Sequence, residues 1–298
     1  MKVASMLGKE RITLSFEVFP PRNREGIESV EQAMREIAAL QPDFISVTFG
    51  ATGGRSEFTL PAVTHVQNMY HVPAIAHFTC VSSTRSEVHR MMSDLRDNGI
   101  SNILALRGDI PEGNDYPMDY HYAYELIEEI RSFGGFCIGA ACYPDGHPES
   151  RNMQEDIQHL KEKVDAGVDY LITQMFFDNN ILYNYLYRIR EKGINVPLVA
   201  GIMPVTNVKQ IKRIRQLSGT YLPMRFKAML DRFGDNPAAM TEAGIAYATE
   251  QIIDLIANNV NNIHVYSMNK PGVAARIKAN LAEILEMGKV DDASDLTC

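Results

Sequence analysis

Apolar residues fall in short dense runs that alternate with stretches of 3.6-residue periodicity along most of the chain. The runs predict eight strands: ITLSFEVF (12–19), DFISVTFG (43–50), PAIAHFTC (73–80), NILALRGD (102–109), FCIGAACYP (136–144), DYLITQMFF (169–177), VPLVAGIMP (196–204) and NIHVYSM (262–268). Val30, Ala33, Met34, Ile37 and Leu40 mark one face of the first predicted helix. Further helices are expected around 57–71, after Ser83-Thr84, through 122–133, up to about Ala166, through ILYNYLYRIREK (181–192) and from about Asn207. Glu87 follows Thr84 at the spacing of a capping box. Two extra helical stretches, 223–233 and 237–258, precede the last strand, and a final helix is expected from Val273 to Met287. Such strict alternation implies a parallel sheet with right-handed crossovers. Closed on itself, it is an α/β (β/α)8 TIM barrel with extra helices before the eighth strand. An open doubly wound sheet is the alternative, weakened because no G-x-G-x-x-G follows any strand.

All 298 residues are assigned to one barrel domain (1–298) without a regulatory domain, since no linker or low-complexity tract interrupts the pattern. The formal net charge of −8 argues against nucleic acid or an anionic membrane as the main partner. No apolar stretch is long enough to span a bilayer, and the first sixteen residues lack the core of a signal peptide. Cys80, Cys137 and Cys142 lie in apolar runs and no pair is spaced C-x-x-C; a reducing, cytoplasmic location is expected. The tyrosines of 181–192 suggest a homo-oligomer.

In a barrel of this kind the interior is expected to be apolar and the chemistry to lie where strands end. Polar groups gather at those ends: Glu17, Thr48, His77, Arg107-Gly108-Asp109, Tyr143 and His147, Gln174, and Tyr266. Taken singly, each also has an ordinary structural reading. Their convergence on seven of eight strands is the stronger signal. Glu17 leads, because a buried carboxyl is costly, and desolvation raises its pKa towards that of a general acid. Asp156, His159 and Lys163 share one helical face, which spacing alone reads as a solvated charged surface. No metal is expected: the His residues show neither H-x-H nor H-E-x-x-H. A serine elbow and a P-loop are also absent.

The stretches SFEVFPPR (15–22), FISVTFGATGG (44–54), AHFTC (76–80), NILALRGDIP (102–111), AACYPDGHPE (140–149), KVDAGVDYLITQMFFD (163–178), GIMPVTN (201–207) and IHVYSMNK (263–270) together resemble the methylenetetrahydrofolate reductase family. The resemblance spans nearly the whole chain in order and spacing. It implies an FAD-bound barrel in which NADH or NADPH reduces the flavin, and 5,10-methylenetetrahydrofolate then takes its place and leaves as 5-methyltetrahydrofolate. By motif, Glu17 and Asp109 are the implied catalytic residues. Thr48, Phe49, Ala51, His77, Leu106, Arg107, Gly108, Asp109, Tyr122, Ala123, Tyr143, His147, Ser150, Asp156, His159 and Lys163 would hold FAD. Glu17, Asp109, Gln174, Gln210, Tyr266 and Lys270 would meet substrate. Tyr122 rather than Tyr120 takes the aromatic position. The resemblance thus turns the face of Asp156, His159 and Lys163 from solvated surface into cofactor wall. Ile214 stands where an aromatic residue is common, and Lys270 where an arginine is; His159 and Glu162 depart from an amide and a basic residue. A cofactor-free lyase or aldolase is the competing enzyme reading, disfavoured because no strand ends in an obvious inward lysine. A pterin-binding module without redox activity is the other.

Overall fold

Along each strand, alternate residues go to different cores. Leu14, Phe16 and Val18 pack outward against the helices, while Thr13, Ser15 and Glu17 face the interior. This split recurs around the molecule, as a period-2 pleat requires. The computed structural model describes residues 1–8, 10–49, 58–81, 83–110 and 119–287. Its strands are β1 (Thr13–Val18), β2 (Ile45–Val47), β3 (Ala74–Thr79), β4 (Asn102–Leu106), β5 (Cys137–Cys142), β6 (Tyr170–Thr173), β7 (Leu198–Ile202) and β8 (Asn262–Tyr266). All pairings are parallel, and β8 returns to β1, closing the barrel.

Around it run α1 (Ile27–Ala38), α2 (Thr59–Met69), α3 (Arg85–Asp97), α4 (Ala123–Phe133), α5 (Met153–Asp165), α6 (Asn179–Glu191), α7 (Val208–Ser218), α8 (Met224–Phe233), α9 (Pro237–Ala257), α10 (Pro271–Asn280) and α11 (Ala282–Met287). The expected extra helices before the last strand are α8 and α9. They close a second small core with Met175, Phe177, Val205 and Ile211. Contact there is tight: a Cβ on Gly244 of α9 would stand 1.9 Å from Val205 O. The capping box at Thr84 is formed, with both reciprocal bonds present.

Three expectations need correction. The strands are shorter than their apolar runs; β6 ends at Thr173, and Met175, Phe176 and Phe177 continue into the cores outside the sheet. The final helix is two, broken at Leu281, which is fully buried. The interior is not uniformly apolar. Phe44, Ile75, Leu104, Tyr170, Ile172 and Val199 fill part of it. Between them His264 is bonded through Nδ1 to Ser15 Oγ (2.7 Å) and through Nε2 to Ser46 Oγ (2.9 Å). Both nitrogens of the His264 ring are satisfied, which makes this polar layer tolerable inside a barrel.

Val3 and Leu7 join the inner cluster from below, and Val3 N donates to Asn102 Oδ1 at 2.8 Å. The N-terminal segment thus plugs the floor, leaving the strands' C-terminal end as the open one. Among the described residues no helix is long and apolar enough to cross a membrane. Of the three tyrosines on α6, Tyr185 is buried and Tyr183 bonds Asp254, so the expected tyrosine-rich surface reduces to Tyr187.

Candidate active site

At the open end, Glu17 on β1 and His77 on β3 face each other across the mouth, His77 Nε2 lying 3.6 Å from Glu17 Oε2. Each is only 8% exposed. Burial raises the Glu17 carboxyl to about 8 and lowers the His77 imidazole to about 3. At neutral pH the pair is therefore a neutral acid beside a neutral base, not an ion pair, because desolvation penalises each charged form. Among the described residues, Thr48 Oγ1 and His77 Nε2 have no hydrogen-bond partner. Tyr266 closes one side, its hydroxyl donating to Thr173 O at 2.5 Å. A Cβ on Gly201 would sit 2.4 Å from that hydroxyl, so glycine there makes room for the ring.

Beside the mouth a cavity of about 570 Å³ opens between the ends of β4 and β5, the start of α4 and one face of α5. Ten of the expected cofactor residues line it: Leu106, Arg107, Tyr122, Ala123, Tyr143, His147, Ser150, Asp156, His159 and Lys163. Thr48, Phe49, His77, Gly108 and Asp109 lie outside its lining, and Ala51 lies outside the described residues. Tyr120 is buried and bonded to Glu129, whereas Tyr122 is exposed and lines the cavity.

The face of α5 is solvated only in part. Asp156 is buried and accepts from Ser150 Oγ (3.1 Å) and His147 N (3.3 Å), tying the preceding loop to the helix. Lys163 donates to Ala141 O at 2.6 Å and lies 5.9 Å from the Tyr143 ring centre; burial lowers its pKa. A lysine thus does reach a strand end, arriving from a helix, which strand-by-strand reading misses. His159 and Glu162 are exposed on the same wall. Asn152 starts the helix by capping Glu155 N at 3.0 Å.

Gly108 has φ +88, and a Cβ there would lie 2.9 Å from Val81 Cγ1. Its close approach is to Thr79 at the end of β3 and to Val81 just beyond it. Asp109, just beyond, is exposed. The remaining predicted residues lie around the β6–β8 half of the rim. Gln174 folds back to accept from Met175 N at 3.0 Å. Gln210 on α7 has a buried Nε2 without a partner among the described residues. Lys270 donates to Thr206 Oγ1 at 2.6 Å. Ile214 sits on α7 and packs against the second core.

Sequence reasoning missed Glu149, whose carboxylate meets Arg107 in a two-point pair at 2.6 Å on each arm. It stands at the end of the AACYPDGHPE stretch, so the motif contained it without assigning it. His264 was missed as well; its parity with Asn262 and Tyr266 on β8 was the available signal.

A family model described as methylenetetrahydrofolate reductase matches residues 2–282. The chain belongs to that family. Among similar proteins, the 5,10-methylenetetrahydrofolate reductase of Escherichia coli (strain K12) is 34% identical over 260 residues, covering 87% of both chains. Methylenetetrahydrofolate reductase (NADH) 1 of Arabidopsis thaliana is 34% identical over 300 residues, covering 96% of this chain and 51% of its own. The reductase-family chain therefore spans about half the length of the plant relatives it matches. In structure, it is similar to a Clostridium thermocellum protein described as binding two copies of 5-methyl-5,6,7,8-tetrahydrofolic acid (TM-score 0.61, 16% identity, 96% of this chain and 100% of that one). A 2,3-dimethylmalate lyase also aligns, with TM-score 0.51 at 12% identity over 100% of this chain and 89% of that one. At these identities both likenesses speak for the barrel alone.

Proposed function

We propose that this member of the methylenetetrahydrofolate reductase family reduces 5,10-methylenetetrahydrofolate to 5-methyltetrahydrofolate with a reduced nicotinamide, NADH in the first instance, through bound FAD. The observation that carries the reading is a carboxyl held protonated at neutral pH in the barrel mouth, next to a cavity of nucleotide size. Family membership supplies the substrate class, and NADH stands in the plant relatives' names.

The residues present fit FAD. Arg107 and Lys163 offer cationic donors, and Tyr122 and Tyr143 offer aromatic faces. The unpartnered Thr48 Oγ1 and buried His77 Nε2 suit the polar edge of a heterocycle reaching into the mouth. When bound, FAD supplies the two-electron relay between nicotinamide and folate. Glu17 gives its proton to the folate amine nitrogen as the imidazolidine C–N bond breaks, leaving the methylene carbon as an electrophilic iminium. The carboxylate left behind is desolvated and beside an uncharged His77, which favours its reprotonation before the next turnover. Gln174, Gln210 and Lys270 bind and orient the folate, Lys270 as a cation for its carboxylate tail. Asp109, at the exposed end beyond β4, would tune the flavin and folate binding. Three buried free thiols, Cys80, Cys137 and Cys142, agree with a reducing, cytoplasmic setting.

The two half-reactions test this separately. With FAD bound and oxygen excluded, NADH should bleach the flavin and 5,10-methylenetetrahydrofolate should restore its colour. Glu17→Gln should bleach within about twofold of the parent rate and lose at least about 100-fold in the folate step, the upper part of the range for a general acid. A protein that takes up no FAD sinks the reading. Equal loss in both steps sinks the proton-donor role.

A further inference from the structure

The β1–β8 main-chain ladder runs out with Glu17 opposite Tyr266. Beyond it, side chains carry the seam. Ser267 Oγ donates to Glu17 O at 2.6 Å. Phe19 N donates to Asn269 Oδ1 at 2.9 Å, and Asn269 Nδ2 donates to Phe19 O at 3.0 Å. One side-chain amide thus reproduces the two-way exchange that a paired strand residue would make. On the other edge of the segment, Thr48 N donates to Val18 O at 3.0 Å.

The turn making this clamp is strained. Met268 and Asn269 have φ of 53° and 52°, consecutive left-handed residues that are not glycine. That conformation persists only where surrounding contacts over-determine it. Here they do: Ser267 is buried, Met268 packs against the second core, Lys270 N donates to Ser267 O at 3.0 Å, and Lys270 Nζ reaches Thr206.

We propose that Asn269, together with Ser267, is a positioning residue for Glu17: the clamp fixes the Glu17–Phe19 backbone so that the carboxyl stays buried in the mouth beside His77. The inference rests on Glu17 being the proton donor. Its physical content is water exclusion. Among the described residues, the titratable groups facing Glu17 are His77 from β3 and Tyr266 from β8, with His264 in the layer beneath. Both histidines are held neutral by burial, and the tyrosine stays protonated. With no charged neighbour among these to set its titration, the carboxyl depends on the seam remaining shut.

Three variants of the FAD-bound protein separate the clamp from the turn. Asn269→Gly keeps the left-handed backbone and removes the amide. Asn269→Asp keeps an acceptor for Phe19 N and loses the donor to Phe19 O. Ser267→Ala removes the remaining bond. Expected for Asn269→Gly is flavin reduction by NADH within twofold of the parent. Its folate step should be at least tenfold slower at pH 7, with the alkaline limb of that step's pH profile displaced downward by a unit or more. Asn269→Asp should follow it, and Ser267→Ala should shift in the same direction by less.

A second readout needs no activity: the pH dependence of unfolding that Glu17→Gln abolishes should shrink in Asn269→Gly without ligands. If Asn269→Gly keeps the parent's profile and folate rate, Asn269 serves only the turn and the proposal is overturned. Equal loss in both half-reactions overturns it too. If instead Glu17→Gln leaves the folate step intact, the proton-donor reading has failed, while the unfolding experiment still reports whether the clamp controls the carboxyl.

Discussion

Glu17 shows how much one residue's chemistry depends on where its backbone is held. In the unfolded chain its carboxyl titrates near 4.5, and in the folded protein at about 8. Below pH 4.5 both states hold the proton, and the stability associated with it is fully present. As pH rises, the unfolded chain releases its proton while the folded one keeps it, so stability falls, and the loss is complete above about pH 8. Glu17→Gln has no proton to lose. It is expected to match the parent in urea unfolding at pH 4 and to exceed it at pH 8.5 by on the order of 3 kcal/mol or more. A gap that does not change with pH would show that the carboxyl is not desolvated. The amino-acid order signals this residue clearly, as an acid inside an apolar run. His264 is quieter, because a histidine between isoleucine and valine reads the same whether it is bonded or catalytic. The two serines that satisfy it stand 249 and 218 positions away.

At the level of elements, what was legible was what is local. The capping box at Thr84 needs only residues three apart, and it is formed as expected. Thr84→Ala should cost about 1 kcal/mol, seen as a lower urea midpoint with an unchanged slope, and should leave FAD affinity within twofold. A changed slope would mean that the cap holds more than its own helix. Strand ends were less legible. Apolar runs continue past β6 because Phe176 and Phe177 are buried outside the sheet, and hydrophobicity does not distinguish those two fates. Helix α5 shows the limit in the other direction. Its charged residues look like a solvated face at i, i+3 and i+7, yet Asp156 is buried because the loop from His147 to Ser150 folds onto it.

At the scale of the molecule, the open end carries two neighbouring regions: a dry mouth around Glu17 and a wetter, charged cavity between β4 and α5. If the cavity takes the phosphate and adenine parts of FAD, ligand binding should stabilise the chain by mass action. At a hundredfold excess over Kd, the gain is about 2.7 kcal/mol, seen as a rise of several degrees in Tm. Riboflavin, lacking phosphate and adenine, should give a clearly smaller rise at equal concentration. Equal shifts from both would mean that the charged wall contributes nothing. The Arg107–Glu149 pair belongs to this scale, because its partners lie on the two walls flanking the cavity.

By itself, the order of residues determined the alternation of strands and helices, the extra helices before β8, the capped helix start at Thr84 and the family. It also placed polar groups at strand ends. These properties follow from periodicity and neighbours a few residues apart, which physics reads without knowing the fold. Only the tertiary structure decided which polar groups are dry, which are paired and which are held. The His264 layer, the reach of Lys163 to Ala141, and the Asn269 clamp on Phe19 join residues on different elements, the last pair 250 positions apart. Desolvation and hydrogen bonding act through space, so the burial of Glu17 beside His77 exists only in the closed barrel.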